Sequence, residues 1–353
     1  MTYRDPGQID VLAPNFKRRL SGVTATVVRL VPLQADNIAI AAVAPTLPDH
    51  VPQIRRRDLL TMSASGPSGH RVWHARRNSE MLAGLALKHL FRKRLKLLFT
   101  SASQRHHTGY SKWLIRQMDA LISTSRKTAE YLDRPSSVIL HGIDTKSFSP
   151  PADRAAVKAS LGLPSGPLVG CFGRIRAQKG TDVFVDAMIE LLRDRPEAAA
   201  IVMGRATEKH IGFERDLKAR VAAAGLSDRF LFPPEVPVHD IAEWYQALDL
   251  FIAPQRWEGF GLTPLEAMAC GVPVIATTVG AFEELIVPGE TGALIAPGDV
   301  AAMVSAAARL LDDPTERSRQ SANARSHVVS HFGIEREAEA IVAIYRALLD
   351  GSK

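Results

Sequence analysis

Cysteine is nearly absent from this chain of 353 residues: Cys171 and Cys270 are the only two. Both sit in apolar surroundings and neither stands at a metal or redox spacing. That excludes a disulfide framework and a cysteine metal knuckle, and leaves two core thiols in a reducing compartment. No apolar run approaches membrane-spanning length, so a chain threaded through a bilayer is not expected. Residues 1–15 carry Arg4, Asp5 and Asp10 and no long apolar stretch, so no secretory leader is expected and the expected location is cytoplasmic. The dinucleotide fingerprint G-x-G-x-x-G, the P-loop G-x-x-x-x-G-K-[ST] and any Asp-x-Asp are all missing. No nucleic-acid motif is present either, so nucleic acid is not an expected partner.

What is present begins with an uneven charge. The net charge is +7, but residues 1–150 hold 23 Lys and Arg against 10 Asp and Glu. Residues 151–353 hold 21 against 27. A basic first half suits an anionic partner, such as a membrane surface or an acidic acceptor, although a basic face kept for solubility would look the same.

The most informative stretch is Glu258 to Gly271, EGFGLTPLEAMACG. An apolar run, Leu248 to Pro254, precedes it and another, Pro273 to Thr277, follows; both read as buried parallel strands. Gly261 to Ala269 between them reads as a helix. The turn then lies at the C-terminal end of a strand, where open α/β sheets bind ligands. Amides of Gly261, Leu262 and Thr263 at that helix start suit a phosphate. Glu258 before the helix and Glu266 on its second turn can accept from two separate hydroxylated groups with a diphosphate between them. A nucleotide sugar has that layout. A single glutamate here would be an ordinary solvated residue; the whole string in this context is not.

Strands alternate with helices along the rest of the chain. In the first half, strands are expected at Ile9–Ala13, Ile38–Val43, Arg71–Ala75, Leu95–Thr100, Asp119–Ser123 and Ser137–Leu140, with helices at Val23–Leu33, Ser79–Phe91 and Ser111–Met118. Gly22 then stands at a helix start, a natural anion site, though Ser-Gly before a helix is usually only a cap. The loop after the fourth strand, SASQRHHTGY, puts His106 and His107 at a ligand end of the sheet, with a solvated loop histidine as the alternative. Arg55-Arg56-Arg57 and Arg92-Lys93-Arg94 are basic runs that suit lipid or phosphate. A linker at His141 to Pro151 separates domains 1–150 and 151–353. In the second half, Leu168–Phe172 leads into GRIRAQKG. Arg174 and Lys179 there can hold a diphosphate and offset charge on a departing nucleotide. Gly204, after Ala199–Met203, and the Pro233–Val236 turn are candidates to wall a base pocket.

The glutamate string resembles the E-x7-E motif of retaining glycosyltransferases of family 4, and GRIRAQKG resembles that family's G-R-x-x-x-x-K-G motif. The resemblance implies an α/β GT-B fold: two Rossmann-like parallel-sheet domains facing across a cleft, the last helix, about 334–350, often crossing back to the first domain. It implies that Glu258 meets the donor hexose and Glu266 the ribose, that Arg174 and Lys179 hold the diphosphate, and that Gly22 lets backbone near it. The family places a histidine just after the fourth strand; the spacing here leaves His106 and His107 both open. APNFKRRLSGVTATVVRLVPLQ, WHARRNSEM and HGIDTKSFSPP resemble bacterial lipopolysaccharide core mannosyltransferases. These imply GDP-mannose as donor, the inner-core Kdo of a lipid A precursor as acceptor, and a peripheral place at the inner membrane. With no Asp-x-Asp, no metal or other cofactor is expected, cationic side chains taking that role. Another hexose donor or lipid-linked acceptor, a GT-B sugar-nucleotide epimerase, and a non-catalytic binding protein remain the alternatives.

Overall fold

A computed structural model describes residues 3–17, 22–237 and 239–351. The chain divides into two compact units, Met1–Gly142 with Ile334–Lys353, and Ile143–Gly333.

The first unit alternates β1 (Val11–Pro14), α1 (Gly22–Ala35), β2 (Ile40–Val43), α2 (Asp58–Thr61), β3 (Arg71–Ala75), α3 (Asn78–His89), β4 (Leu95–Ser101), α4 (Gly109–Arg116), β5 (Ala120–Ser123), α5 (Arg126–Glu130) and β6 (Ser137–Val138). All pairings are parallel, in the order β2-β1-β3-β4-β5-β6. β1 to β3 are buried on both faces, which is why they read as unbroken apolar runs.

The second unit runs α6 (Arg154–Ser160), β7 (Leu168–Phe172), α7 (Thr181–Arg193), β8 (Ala199–Met203), α8 (Ile211–Ala223), β9 (Phe230–Leu231), α9 (Ile241–Gln246), β10 (Leu250–Ala253), α10 (Thr263–Ala269), β11 (Val274–Thr277), α11 (Phe282–Leu285), β12 (Gly292–Ile295), α12 (Val300–Asp312) and α13 (Pro314–His331). Its parallel order is β12-β11-β10-β7-β8-β9, the doubly wound arrangement. Its core joins α7 and α12 to the sheet, with Val183, Phe184, Met188, Met303 and Leu310 almost wholly buried.

The last helix, α14 (Ile334–Leu349), belongs to the first unit and packs on α1 and β3. Ile341, Val342 and Tyr345 of α14 join the core with Val27, Leu30 and Val31 of α1. The boundary expected at 150 instead falls between Gly142 and Ile143. The reason is local. Ile143 N–H donates to Phe332 O at 2.8 Å, and the Arg325 guanidinium on α13 holds the carbonyls of Thr145 and Phe148. Residues 143–150 are thus bound into the second unit.

Candidate active site

In the second unit the strand order reverses between β7 and β10, and the switch point opens at their C-terminal ends. The loop after β7 carries Arg174 and Lys179; the loop after β10 carries Glu258 and runs into α10 with Thr263 and Glu266. The two sequence motifs therefore meet at one place in the fold. Lys179 Nζ forms an ion pair with Glu258 Oε2, their side chains 21% and 16% exposed. The other Glu258 oxygen accepts the Gly259 N–H at 3.1 Å. Arg174 lies exposed on the same loop and pairs with no carboxylate among the described residues.

Arg256, which sequence reasoning passed over, ties the two loops together. Its guanidinium donates to both Asp182 oxygens at 2.7 and 2.8 Å and to Ala177 O at 2.5 Å. Its own N–H donates to Gln178 O at 3.0 Å. The Asp182 hydrogen bonds raise the Arg256 pKa further; burial pushes Asp182 up, but Arg256 outweighs it and holds the carboxyl below its usual value. The signal available in the sequence was an arginine two residues before the key glutamate, with its partner out of sight 74 positions away.

Glu266 projects from α10 and accepts a 2.7 Å bond from the Tyr245 hydroxyl. Tyr245 is buried against Phe172, Phe251 and Phe148, and burial, then the Glu266 charge, push its pKa well above the ordinary value. Glu266 is thereby oriented by a neutral donor. Nearby, Thr263 Oγ1, Gln255 Oε1 and Arg176 Nε are buried without a hydrogen-bond partner. Buried polar atoms are rarely left so, and each has the chemistry to bind a phosphate or hydroxyl group.

Two details of the motif differ from expectation. α10 begins at Thr263, not Gly261, because Gly261 adopts a left-handed φ of +91° and lies outside the helix. A Cβ at 261 would also strike Phe282 and Glu258. Gly261 and Leu262, two of the three amides counted on for a phosphate, therefore precede the helix, and Pro264 at its first turn adds no further N–H. Gly204 has a structural cause of its own: φ is +153°, and a Cβ would lie 1.8 Å from Gly173 O. Its missing side chain lets β8 leave the sheet beside the phosphate loop.

In the first unit, Gly22 is the first residue of α1 and a Cβ there would meet nothing within 4 Å. Arg18 to Ser21 before it lie outside the described residues. His106 is exposed against the Tyr131 ring, centroids 5.3 Å apart. His107 has a buried Nε2 without a partner, and burial lowers its pKa despite Asp133, so the ring is neutral near pH 7. The two histidines that sequence left level therefore differ in setting: His106 is exposed, and His107 carries the buried ring nitrogen. This sheet reverses between β1 and β3, and there a further group appears. Asn15 Oδ1 accepts from Arg77 at 2.7 Å; Arg77 also pairs with the buried Glu80 at 2.7 Å, which caps the Arg76 N–H at 2.8 Å. Asn15 Nδ2 is buried without a partner. The RRNSE string after a strand was the clue to it.

Two six-stranded parallel sheets, the second carrying Arg174, Lys179, Glu258 and Glu266 on the loops at its switch point, define the GT-B class of fold. The fold agrees: the structure of Anabaena HepE in complex with UDP matches with a TM-score of 0.82 over 96% of this chain and all of that one, at 18% identity. The model of the family "Glycosyl transferases group 1" matches residues 153–327. The chain is 57% identical to the lipopolysaccharide core biosynthesis mannosyltransferase LpsB of Rhizobium meliloti (strain 1021), over 98% of this chain and 99% of that protein. It is 52% identical to the lipopolysaccharide core biosynthesis mannosyltransferase LpcC of Rhizobium leguminosarum bv. viciae, over 99% of both chains. The chain belongs to the group 1 glycosyltransferase family, and it is a glycosyltransferase.

Proposed function

We propose that this enzyme moves mannose from GDP-mannose to the inner-core Kdo of a lipid A precursor, with retention at the anomeric carbon. The observation that carries the reading is the convergence of Arg174, Lys179, Glu258 and Glu266 at one switch point in a chain related end to end to named core mannosyltransferases. Arg174 and Lys179 hold the donor diphosphate. Lys179 is paired with Glu258. The diphosphate, with more negative charge, draws the ammonium away and frees Glu258 for the hexose hydroxyls. Glu266, fixed by Tyr245, receives the ribose, and the unpartnered Thr263 hydroxyl meets phosphate or sugar. Gly22 offers open backbone to the donor, Gly261 and Leu262 turn amides toward it, and Gly204 borders the base.

The bond between the sugar carbon and the diphosphate oxygen breaks as the acceptor hydroxyl forms a new bond on the same face. The hydroxyl proton passes to a donor phosphate oxygen, and GDP leaves with its charge offset by the two cations. No cofactor enters the proposal. His107, neutral and with a ring nitrogen to offer, contacts sugar or acceptor rather than bearing charge; His106 remains peripheral to it. The anionic acceptor and the inner membrane surface give the basic first half its partners.

The test supplies purified enzyme with a Kdo-bearing lipid A precursor and a panel of nucleotide sugars labelled in the sugar. Label reaching lipid from GDP-mannose alone supports donor and acceptor together. Transfer from a different donor removes the mannose assignment. Nucleotide binding without transfer from any donor removes the acceptor.

A further inference from the structure

The first unit has a switch point of its own, between β1 and β3, and two arginines follow β3 there. They are not equivalent. Glu80 gives one oxygen to the Arg77 guanidinium at 2.7 Å and the other to the Arg76 backbone N–H at 2.8 Å. Arg77 is thereby neutralised. The Arg76 side chain is not: the residue is 9% exposed, and its guanidinium makes no ion pair among the described residues. Its contacts are the His74 carbonyl at 3.2 Å, His74 Nδ1 at 3.4 Å and the Tyr345 hydroxyl. Both side chains stay neutral. Burial, then the Arg76 charge, holds His74 well below its ordinary value, and burial pushes Tyr345 up to about 12. The guanidinium is thus fixed in place without being compensated, although a charge this buried is ordinarily paired.

The strand register gathers further donors at the same level. Leu12 pairs with Trp73 and Ala75 with Phe99, so Asn15 and Thr100 stand level with Arg76. Thr124 lies two residues past Ile122, the partner of Thr100. Arg76, His74, Thr100, Thr124, His141 and Glu337 line one cavity of about 10 Å³, room for a single water or one ligand oxygen. Glu337, the carboxylate on that wall, is taken: it accepts from His141 Nδ1 at 2.7 Å and from the Gly142 N–H at 2.8 Å. Thr124 Oγ1 and, at the end of β1, Asn15 Nδ2 are buried without a partner. A cation, a hydroxyl and an amide therefore all lack the same thing, an acceptor carrying negative charge.

We infer that Arg76 anchors the carboxylate of the acceptor sugar, one oxygen of which enters the cavity and takes the Thr124 hydroxyl. One uncompensated guanidinium matches one carboxylate in charge and in planar geometry, better than it matches a phosphate near two negative charges. Resting on the Kdo acceptor of the proposed function, this puts recognition on one buried guanidinium rather than on the exposed basic runs.

The test pairs Arg76→Gln with a lipid acceptor whose Kdo carboxyl is reduced to the alcohol, and measures KM for the acceptor with labelled GDP-mannose. Arg76→Gln raises acceptor KM roughly 10- to 100-fold, the worth of a hydrogen bond to a charged group, and leaves GDP-mannose binding unchanged. The reduced acceptor costs the wild type the same factor and costs Arg76→Gln nothing more, a coupling that no folding defect produces. Thr124→Val removes a hydroxyl that has no partner, so acceptor KM rises about fivefold and Tm does not fall. A second arm needs no turnover. Free Kdo at millimolar concentration raises the Tm of the wild type and not that of Arg76→Gln, while inorganic phosphate acts on both alike. Additive losses in the cycle, or equal responses of the two proteins to free Kdo, overturn the assignment. Phosphate that stabilises the wild type alone overturns the carboxylate. If the Kdo acceptor is glycosylated while these results fail, the proposed function stands without Arg76. If no acceptor is glycosylated and free Kdo still stabilises only the wild type, the carboxylate site stands and the acceptor reading does not.

Discussion

Lys179→Ala separates the ion pair this lysine makes from the diphosphate role the proposed function assigns to it. It neutralises Glu258, whose side chain is 16% exposed. That pair lies between an exposed one, worth at most about 1 kcal/mol, and a buried one, which costs roughly 3–5 kcal/mol to break. Water still reaches both side chains, so the expected loss is about 1–2 kcal/mol, or a fall in Tm on the order of 2–8 °C for a unit of this size. Catalysis loses more. An ammonium aimed at charge that develops on the leaving diphosphate resembles an oxyanion donor, whose removal costs about 100- to 1,000-fold in kcat. The assay measures kcat and KM for GDP-mannose beside a thermal melt, for Lys179→Ala, Glu258→Ala and the double variant. Stability should couple: the double variant should be no less stable than Lys179→Ala, because the stranded carboxylate is gone. Activity should fall in all three. A Lys179→Ala enzyme within threefold of wild-type kcat, at whatever Tm, would refute the diphosphate role and leave the pair as a structural contact.

Three further perturbations follow from the geometry. Arg256→Ala cuts the strap between the two loops; kcat/KM should drop roughly 10- to 100-fold from lost positioning, while Tm falls only modestly because water still reaches the Asp182 pair, 39% and 22% exposed. Steady-state kinetics with a parallel melt decide it, and an unchanged kcat/KM would mean the loops hold their places unaided. Gly204→Ala drives a Cβ onto Gly173 O at a backbone angle alanine avoids, so denaturant unfolding should show a loss of roughly 2–4 kcal/mol; a loss under 1 kcal/mol would show that the β7 and β8 ends shift freely. His74 is buried between Thr100 and Tyr345, and burial, then the Arg76 guanidinium, holds its pKa well below 6.5. The folded state keeps the ring neutral, so this contribution is whole above 6.5 and is lost as pH falls from there toward the folded value. Tm against pH should therefore fall more steeply below 6.5 in the wild type than in His74→Gln, with burial-lowered His107 and His327 supplying the slope that remains. Parallel curves would place the acid sensitivity elsewhere.

Much of this was readable from residues alone, for a physical reason. Strands buried on both faces must be apolar throughout, and β3, β7 and β8 fall where the runs Arg71–Ala75, Leu168–Phe172 and Ala199–Met203 predict. Short helices escaped notice because they have little period to show. α5 and α6 each span fewer than two turns, yet each carries a cap that could have been read: Ser125 accepts from Thr128 N–H, and Asp153 accepts from the Ala155 and Ala156 amides. The start of α10 was misplaced because Gly261 and Pro264 act in opposite senses within four residues, one turning the chain left-handed before the helix and the other initiating it. What no local pattern carries is pairing at a distance. Lys179 and Glu258 lie 79 positions apart, Arg256 and Asp182 74. Each belongs to a motif that signals phosphate or sugar by itself, and neither motif reveals that the two are bonded before any donor arrives. The doubly wound topology supplies that fact. With β10 placed beside β7, the two loops must leave the sheet at the same edge, and a cation and a carboxylate that the proposed function assigns to different parts of one ligand are each other's partner. Under the proposed function, the cost of parting them is built into donor binding. Charge on the diphosphate is what can meet it, so a neutral sugar alone should leave the pair closed.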